Sequence, residues 1–527
     1  MHKLIKFTFA AGALAGLFGL AGNLWFGQLT QRDSSPRNPA GPYQVDGGAV
    51  WGGPTPQADG YVQGSKGTER YLPSMPPARA MDVHRADNVR ANATLQSCFF
   101  PGPKIRPGFY STDPDGYGIE NQLPDNYNSF ATAWFRLEPG AKIVIKGQYP
   151  HMRHWSFTTY GFDGVPRDNL DDSAIQPQPG SQNPFQPGVA RDVSARDYRI
   201  EIVNGEPPTQ RPDNTLYTLD QPGAEIGMHV RHYVPDHSSD YLGGVAVPQM
   251  EYQRANGEVL TGEAACAATA ASLRGHQVPL AINPTVWLAM AQLPWNKAAT
   301  TPALPFEHEP LEMFFNREYM VAKHFAPWLA FDRLAVQKGG FWSNRSTRYG
   351  YKYINQQFGK VYLLRGKMPS TPHTWEGNPA PLDQQTDMRY WSVCSVMAPP
   401  TGMTVDCLFD EQVAPTLDAK GYFSVLVSRA VDRPANARPE CGVQWLEWGN
   451  GDGLVGGQPG FGAIINRHTL VNPQFQQSYF AVTGANQEQQ AMGEYLPYMS
   501  NFHERQRFEA LGCPIDTRQL DAQNSAH

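Results

Sequence analysis

Short runs of β-branched and aromatic residues, separated by clusters rich in Gly and Pro, are the dominant pattern along the chain. Such runs are typical of half-buried β-strands, and the clusters between them are typical of turns. The pattern is clearest over residues 141–160, where KIVIKGQ and HWSFTTY lie on either side of Pro150. We therefore predict a mainly β fold.

Part of this stretch recurs in the second half of the chain. YLLRGKMP (residues 362–369) repeats the pattern of IVIKGQYP (residues 143–150), and RYWS (389–392) repeats RHWS (153–156). The two echoes predict two related β-units, with Trp155 and Trp391 at matching buried positions. Residues 263–335 instead carry apolar residues at helical spacings, which predicts a helical connector between the units.

These patterns divide the chain of 527 residues into six parts. Residues 338–357, at the end of the connector, are basic and aromatic. The predicted parts are a signal peptide or N-terminal anchor (1–26), an extended arm (27–90), a first β-sandwich (91–262), a helical connector with the basic aromatic segment (263–357), a second β-sandwich (358–470) and a C-terminal tail (471–527).

The N-terminus and the cysteines both predict a location outside the cytoplasm. A basic start is followed by small and apolar residues from Phe7 to Gly22, which is typical of a secretory signal, and an uncleaved membrane anchor is the alternative. The six cysteines show no metal-type spacing, so we expect disulfides in an exported, periplasmic or extracellular protein. Six cysteines allow 15 pairings, and the sequence does not choose among them.

The amino-acid composition limits which classes of binding partner we expect. The net charge is −6 and only 17% of residues are charged, which gives no electrostatic support for nucleic-acid binding. The remaining partner classes are a small molecule or glycan, a membrane through the N-terminal segment, and further copies of the chain.

The signal segment, the two RxWS strands and the run DAKGYFSVLVSRAVDRPANARPECGVQWLEWGNGDG (residues 418–453) together carry a resemblance. They resemble bacterial exported proteins of unknown function built from two jelly-roll-like β-sandwiches. The resemblance implies that fold for residues 125–255 and 358–455. It implies no catalytic residues, because its motifs are strand and turn signatures.

Two constellations could carry chemistry. His151 and His154 form an HxxH pattern, and His229 and His232 form another. Residues three apart in a strand face opposite sides, so neither pattern predicts a bidentate metal site, and we predict no metal. The loop from Asp168 to Asp172 clusters carboxylates that suit glycoside hydrolysis, calcium binding with Asn169, or a capped turn.

Sandwich cores are filled by side chains, so a ligand site must come from loops or from the junction between units. The function that we expect is binding of a small molecule, glycan or envelope component between the units, with the cofactor unknown. The alternatives are an extracytoplasmic hydrolase and a structural oligomer of the envelope. The predicted site residues are His151, His154, Asp163, Arg167, Asp168, Trp342, Arg345 and Tyr349.

Overall fold

The computed structural model of the protein describes most of the two predicted units. The described residues are 98–101, 123–161, 164–239, 242–269, 287, 289, 307–325, 331–399, 402, 404–449, 451–452 and 458–518. The predicted signal or anchor segment, the arm and much of the connector lie outside these residues. Among the described residues, no helix is long and apolar enough to cross a membrane.

The first unit is a sandwich of two five-stranded sheets. Its contact sheet, named for the face that it turns to the second unit, has the order β1 (Phe100–Pro101), β2 (Asn128–Arg136), β8 (Glu225–Pro235), β4 (Met152–Gly161), β5 (Pro166–Asp171). Its outer sheet has the order β10 (Val259–Thr261), β9 (Gln249–Gln253), β3 (Lys142–Gln148), β6 (Asp197–Val203), β7 (Thr215–Tyr217).

The second unit repeats this arrangement strand for strand. Its contact sheet has the order β12 (Glu312–Met313), β13 (Thr347–Asn355), β19 (Phe461–Val471), β15 (Met388–Val396), β16 (Thr404–Phe409). Its outer sheet has the order β11 (His308–Pro310), β20 (Tyr498–Asn501), β14 (Val361–Lys367), β17 (Tyr422–Ser428), β18 (Gln444–Glu447). In both units the last pair of the outer sheet is parallel and the other pairs are antiparallel. The prediction of a mainly β protein with two β-sandwiches is therefore confirmed.

The strands of the second unit come from a longer stretch than the predicted range 358–470. Strands β11 to β13 come from the predicted connector range, and β20 from the predicted tail. The basic aromatic segment thus contains β13, with the sequence TRYGYKYIN. Side chains alternate along a strand, so its residues can pack against two different surfaces. The described α-helices are short: α1 (Gly262–Ala268), α2 (Arg317–Phe325), α3 (Asp410–Val413), α4 (Glu488–Met492) and α5 (Arg505–Glu509).

Each unit is built around the tryptophan of its RxWS strand. Trp155 and Trp391 are 1% and 0% exposed and lie opposite equivalent histidines in β8 and β19. The backbone N–H of each donates to an aspartate beyond the next strand, Asp172 at 3.1 Å and Asp410 at 3.0 Å. The matching burial, register and hydrogen bonds confirm the predicted duplication.

Three disulfides join all six cysteines: Cys98–Cys266, Cys394–Cys407 and Cys441–Cys513. Disulfides persist in oxidising compartments and are rare in the cytosol. The three bonds therefore indicate an oxidising, extracytoplasmic environment.

The two contact sheets pack face to face. A buried cluster joins aromatic residues of both sheets, and the rings of Tyr233 and Tyr390 lie 5.5 Å apart across the junction. Because side chains alternate along a strand, one face of each contact sheet fills its own sandwich and the other faces the neighbouring unit. This second face positions the candidate site.

Two equivalent arginines each lie beside carboxylates of the opposite unit. Arg153 of the first RxWS strand is fully buried, and its guanidinium forms ion pairs with Asp410 and Glu411 of the second unit. Arg389, its equivalent, lies 3.7 Å from Asp172 of the first unit. Burial lowers the pKa of Arg153, but Asp410 and Glu411 outweigh that effect and raise it. The reciprocal pairs fix the two units in register.

Candidate ligand site between the two units

The contact sheets enclose a cavity of about 90 Å³. Its walls are mainly aromatic and aliphatic, and polar groups interrupt them at a few points. Pockets of this composition are typical small-molecule sites. Both units supply walls, with Phe130 from the first and Phe314, Trp342, Tyr349, Tyr353 and Ile465 from the chain of the second.

Strand alternation places three polar residues of the first unit on the cavity wall. His229, Arg231 and Tyr233 alternate along β8 and therefore share the face turned to the second unit. The residues between them, Val230 and His232, face the interior of the first sandwich. A strand that carries charge on a buried face departs from the usual apolar pattern, which marks this wall as a candidate site.

Arg231 is the buried cation of the first unit's wall. Its side chain donates to Thr158 Oγ1 at 3.2 Å, to the Trp342 carbonyl at 2.5 Å and to His229 Nδ1 at 3.4 Å. Two aromatic rings lie 5.4 and 5.6 Å from its Cζ. Among the described residues, no carboxylate forms an ion pair with Arg231. Within the part of the chain that the structure describes, its charge is balanced by rings and dipoles alone.

His229 is 1% exposed and lines the same wall. Its ring stacks on Trp342 with 5.6 Å between centroids. Burial, and then the charge of Arg231, lower its pKa well below 6.5, so the imidazole is neutral at physiological pH. Its Nε2 is buried and has no hydrogen-bond partner within the described parts of the chain.

Arg467 occupies the equivalent position in β19 and also lines the cavity. Unlike Arg231, it has a carboxylate partner, with Asp125 Oδ2 at 3.4 Å. Asp125 is 1% exposed and also accepts hydrogen bonds from the hydroxyls of Tyr390 and Ser392. The charge of Arg467 is therefore already compensated within the chain.

The second unit adds a phenol to the cavity. Tyr351 lies on the cavity-facing side of β13 and is 7% exposed. Burial is the largest of the effects that raise its pKa, so the hydroxyl keeps its proton. The hydroxyl oxygen has no hydrogen-bond partner among the described residues.

A strained turn forms part of the cavity wall. Phe341 and Trp342 have φ of 51° and 59°, the left-handed region that bulky residues rarely occupy. The first unit holds this turn, because Trp342 N–H donates to the Gly164 carbonyl at 3.1 Å and Tyr160 donates to the Ser343 carbonyl at 2.9 Å. Such conformations cost roughly 1–3 kcal/mol each and cluster at functional sites.

The structure brings together the two segments that were predicted to share a site. Trp342 and Tyr349 line the cavity, and Arg345 donates a hydrogen bond to the carbonyl of Arg167. Arg345 is exposed, and Arg167 pairs with Asp220 at 2.9 Å. Of the seven predicted site residues that the structure describes, two therefore lie on the cavity wall.

The other predicted residues that the structure describes lie elsewhere. Asp168 is buried against Arg211 at 2.7 Å, and Asp163 lies outside the described residues. His154 is buried with its Nδ1 2.5 Å from Asp172. His151 is half-buried, and burial, then nearby arginines, lower its pKa to about 4. None of these three described side chains lines the cavity.

Metal binding gains no support from the described residues. The only group of potential ligands found close together there is Asp125, Cys394 and Cys407. The two cysteines are bonded to each other, so neither offers a thiolate. The residues in that group instead serve the Arg467 ion pair and the disulfide.

Sequence reasoning missed the cavity's polar residues. It considered His229 only as a metal ligand and Tyr351 only as one aromatic residue of the segment 338–357. It did not consider Arg231, Arg467 or Asp125. One signal was available, because VRH at residues 230–232 and NRH at 466–468 form a third echo. A charged residue repeated in both copies of a strand is a sign of a shared junction.

The chain matches no known protein-family model and no curated protein. Among solved structures it is similar to an uncharacterized protein from Burkholderia cenocepacia, at 14% identity and TM-score 0.36, covering 76% of this chain and 88% of that one. It is also similar to the VPA0106 protein from Vibrio parahaemolyticus, at 11% identity and TM-score 0.32, covering 72% and 90%. Likeness at this level supports no inference about the function of this chain.

Proposed function

We propose that this is an exported protein that binds a small organic molecule in the cavity between its two β-sandwich units. The observation that carries the proposal is the cavity itself, which has aromatic walls and buried polar groups without partners in the described chain. Buried polar groups are usually satisfied, so groups left unsatisfied around a cavity favour a ligand that satisfies them.

The strained turn supports the same function. Two left-handed bulky residues form part of the cavity wall and are held there by hydrogen bonds to the first unit. A rigid wall reduces the ordering that a ligand must impose, which favours binding. The oxidised cysteines and the signal-like N-terminus support export.

The loop carboxylates give less support to the hydrolase alternative. Asp168 is held by Arg211, Asp171 accepts from Ser346 at 2.6 Å, and Asp172 contacts His154. All three serve ion pairs or hydrogen bonds within the chain. A general acid and base would need access to a substrate.

The proposal is tested by filling the cavity. Ala463 lies on its wall and is 3% exposed, whereas Ala255 is exposed on the first unit. We expect wild-type protein, denatured after native purification, to release a small molecule that mass spectrometry detects. Ala463→Leu should release none, and Ala255→Leu should behave as wild type. Wild-type protein that releases nothing, and that no compound of a fragment library stabilises, would contradict the proposal.

A further inference from the structure

The cavity contains one cation that the described chain does not neutralise. Arg231 and Arg467 occupy equivalent positions on the two walls, and among the described residues only Arg467 has a carboxylate partner, that of Asp125. Burying a charge without a counter-charge is strongly unfavourable. The net formal charge of these three side chains is therefore +1, in a space large enough for a ligand.

The hydrogen-bond pattern fixes what His229 offers. A guanidinium can only donate, so the contact between Arg231 Nη2 and His229 Nδ1 at 3.4 Å requires that Nδ1 accept. The neutral ring then carries its proton on Nε2, the nitrogen that has no partner among the described residues. His229 thus presents a donor N–H.

Tyr351 adds a second unused donor. Its hydroxyl keeps its proton and has no partner in the described parts of the chain. A guanidinium, an imidazole N–H and a phenol O–H all lie on the cavity wall. A group that accepts several hydrogen bonds and carries one negative charge would satisfy the guanidinium and the neighbouring imidazole together.

Resting on the ligand-binding function above, we propose that the ligand is a small monocarboxylate whose carboxylate group is bound by Arg231 and His229. The planar guanidinium matches the geometry of a carboxylate, and the apolar walls suit a short hydrocarbon chain. A cavity of about 150 Å³ holds benzene. This cavity, at about 90 Å³, therefore fits an acid of two to four carbons.

The test compares acids with their neutral amides on wild-type protein. In a buffer free of carboxylates, acetate, propionate and butyrate are titrated by calorimetry against acetamide, propionamide and butyramide. We expect at least one acid to bind at least tenfold more tightly than its amide. Amides that bind as tightly as the acids would overturn the carboxylate inference and leave the ligand-binding function standing. If none of the acids binds, the inference is also overturned.

A matched pair of variants locates the contact. Arg231→Met removes the buried cation, and Arg136→Met removes an exposed one with the same change in net charge. We expect the first to weaken propionate binding at least tenfold and the second to leave it unchanged. Equal binding by both variants would overturn the assignment. If Arg231→Met does not fold, the comparison of acid and amide on wild-type protein still decides.

Discussion

The two units share a scaffold and differ on the faces that they turn to each other. Both anchor a buried tryptophan with an aspartate beyond the next strand, and both pair strands in the same order. On the contact sheets, His229 of the first unit corresponds to Ile465 of the second. Thr158 and Asn169, hydrogen-bonded at 2.6 Å, correspond to the disulfide pair Cys394 and Cys407.

The duplicated scaffold therefore carries an asymmetric junction. Core positions are constrained by packing in each sandwich, so they stay alike in both copies. The contact faces meet a different neighbour, so they can change separately. One wall is compensated and cross-linked around Arg467, and the other, around Arg231, has no counter-charge among the described residues.

The largest expected effect comes from breaking the compensated wall. Arg467→Met leaves Asp125 buried without its cation, and breaking a buried ion pair typically costs about 3–5 kcal/mol. We expect the free energy of unfolding in urea to fall by that amount. A loss below about 1 kcal/mol would show that Asp125 is stabilised by its hydroxyl partners alone.

The next prediction replaces the disulfide pair of the second unit by the Thr–Asn pair found at the equivalent positions of the first unit. The variant Cys394→Thr with Cys407→Asn replaces a disulfide across 13 residues by the hydrogen bond found in the first unit. Such a disulfide contributes about 3 kcal/mol and a hydrogen bond about 1 kcal/mol, so we expect a net loss of about 2 kcal/mol. The equal stability of variant and wild type in urea would contradict this account.

The paired histidines predict an acid dependence shared by both units. Burial lowers the pKa of His232 and of His468 to about 3, whereas in the unfolded chain each titrates near pH 6.5. Between these values the unfolded state binds more protons, so stability falls as pH drops below 6.5. Between pH 7 and pH 5.5 we expect the free energy of unfolding to fall by about 1 kcal/mol for each of the two histidines.

Two variants separate the contributions of these histidines. His232→Gln and His468→Gln should each reduce the slope of unfolding free energy against pH in this range. The two reductions should be similar, since both rings are buried on the inner faces of equivalent strands. A reduction in only one variant would show that the two environments differ.

The smallest expected effect is that of Arg231→Met on stability. Replacing a buried charge that has no carboxylate partner among the described residues by an apolar side chain of similar length removes a desolvation penalty. We therefore expect the free energy of unfolding of the ligand-free protein to change by less than about 1 kcal/mol, or to increase. A loss as large as that of Arg467→Met would remove the difference between the two walls.

The sequence predicted those parts of the fold that depend on local pattern. The RxWS echo located both core tryptophans, and cysteine spacing without metal motifs predicted the oxidised state. Hydrophobic alternation could not show that β13 belongs to the second sandwich, because its tyrosines face the other unit rather than solvent.

The site was less predictable because its contacts are distant in sequence. Arg467 and Asp125 are 342 residues apart, and Arg153 and Asp410 are 257 apart. No local spacing relates such residues. The predicted neighbours of the junction, Trp342 and Tyr349, were recognisable because one short segment is both basic and aromatic.

The most direct test of the central claim is a high-resolution crystal structure of the protein crystallised with propionate. We expect electron density for the propionate carboxylate within hydrogen-bonding distance of Arg231 and His229. We expect none beside Arg467, because that guanidinium is already paired with Asp125. A side-chain carboxylate of this chain in contact with Arg231 would contradict the central claim, because the two walls would then be equally compensated.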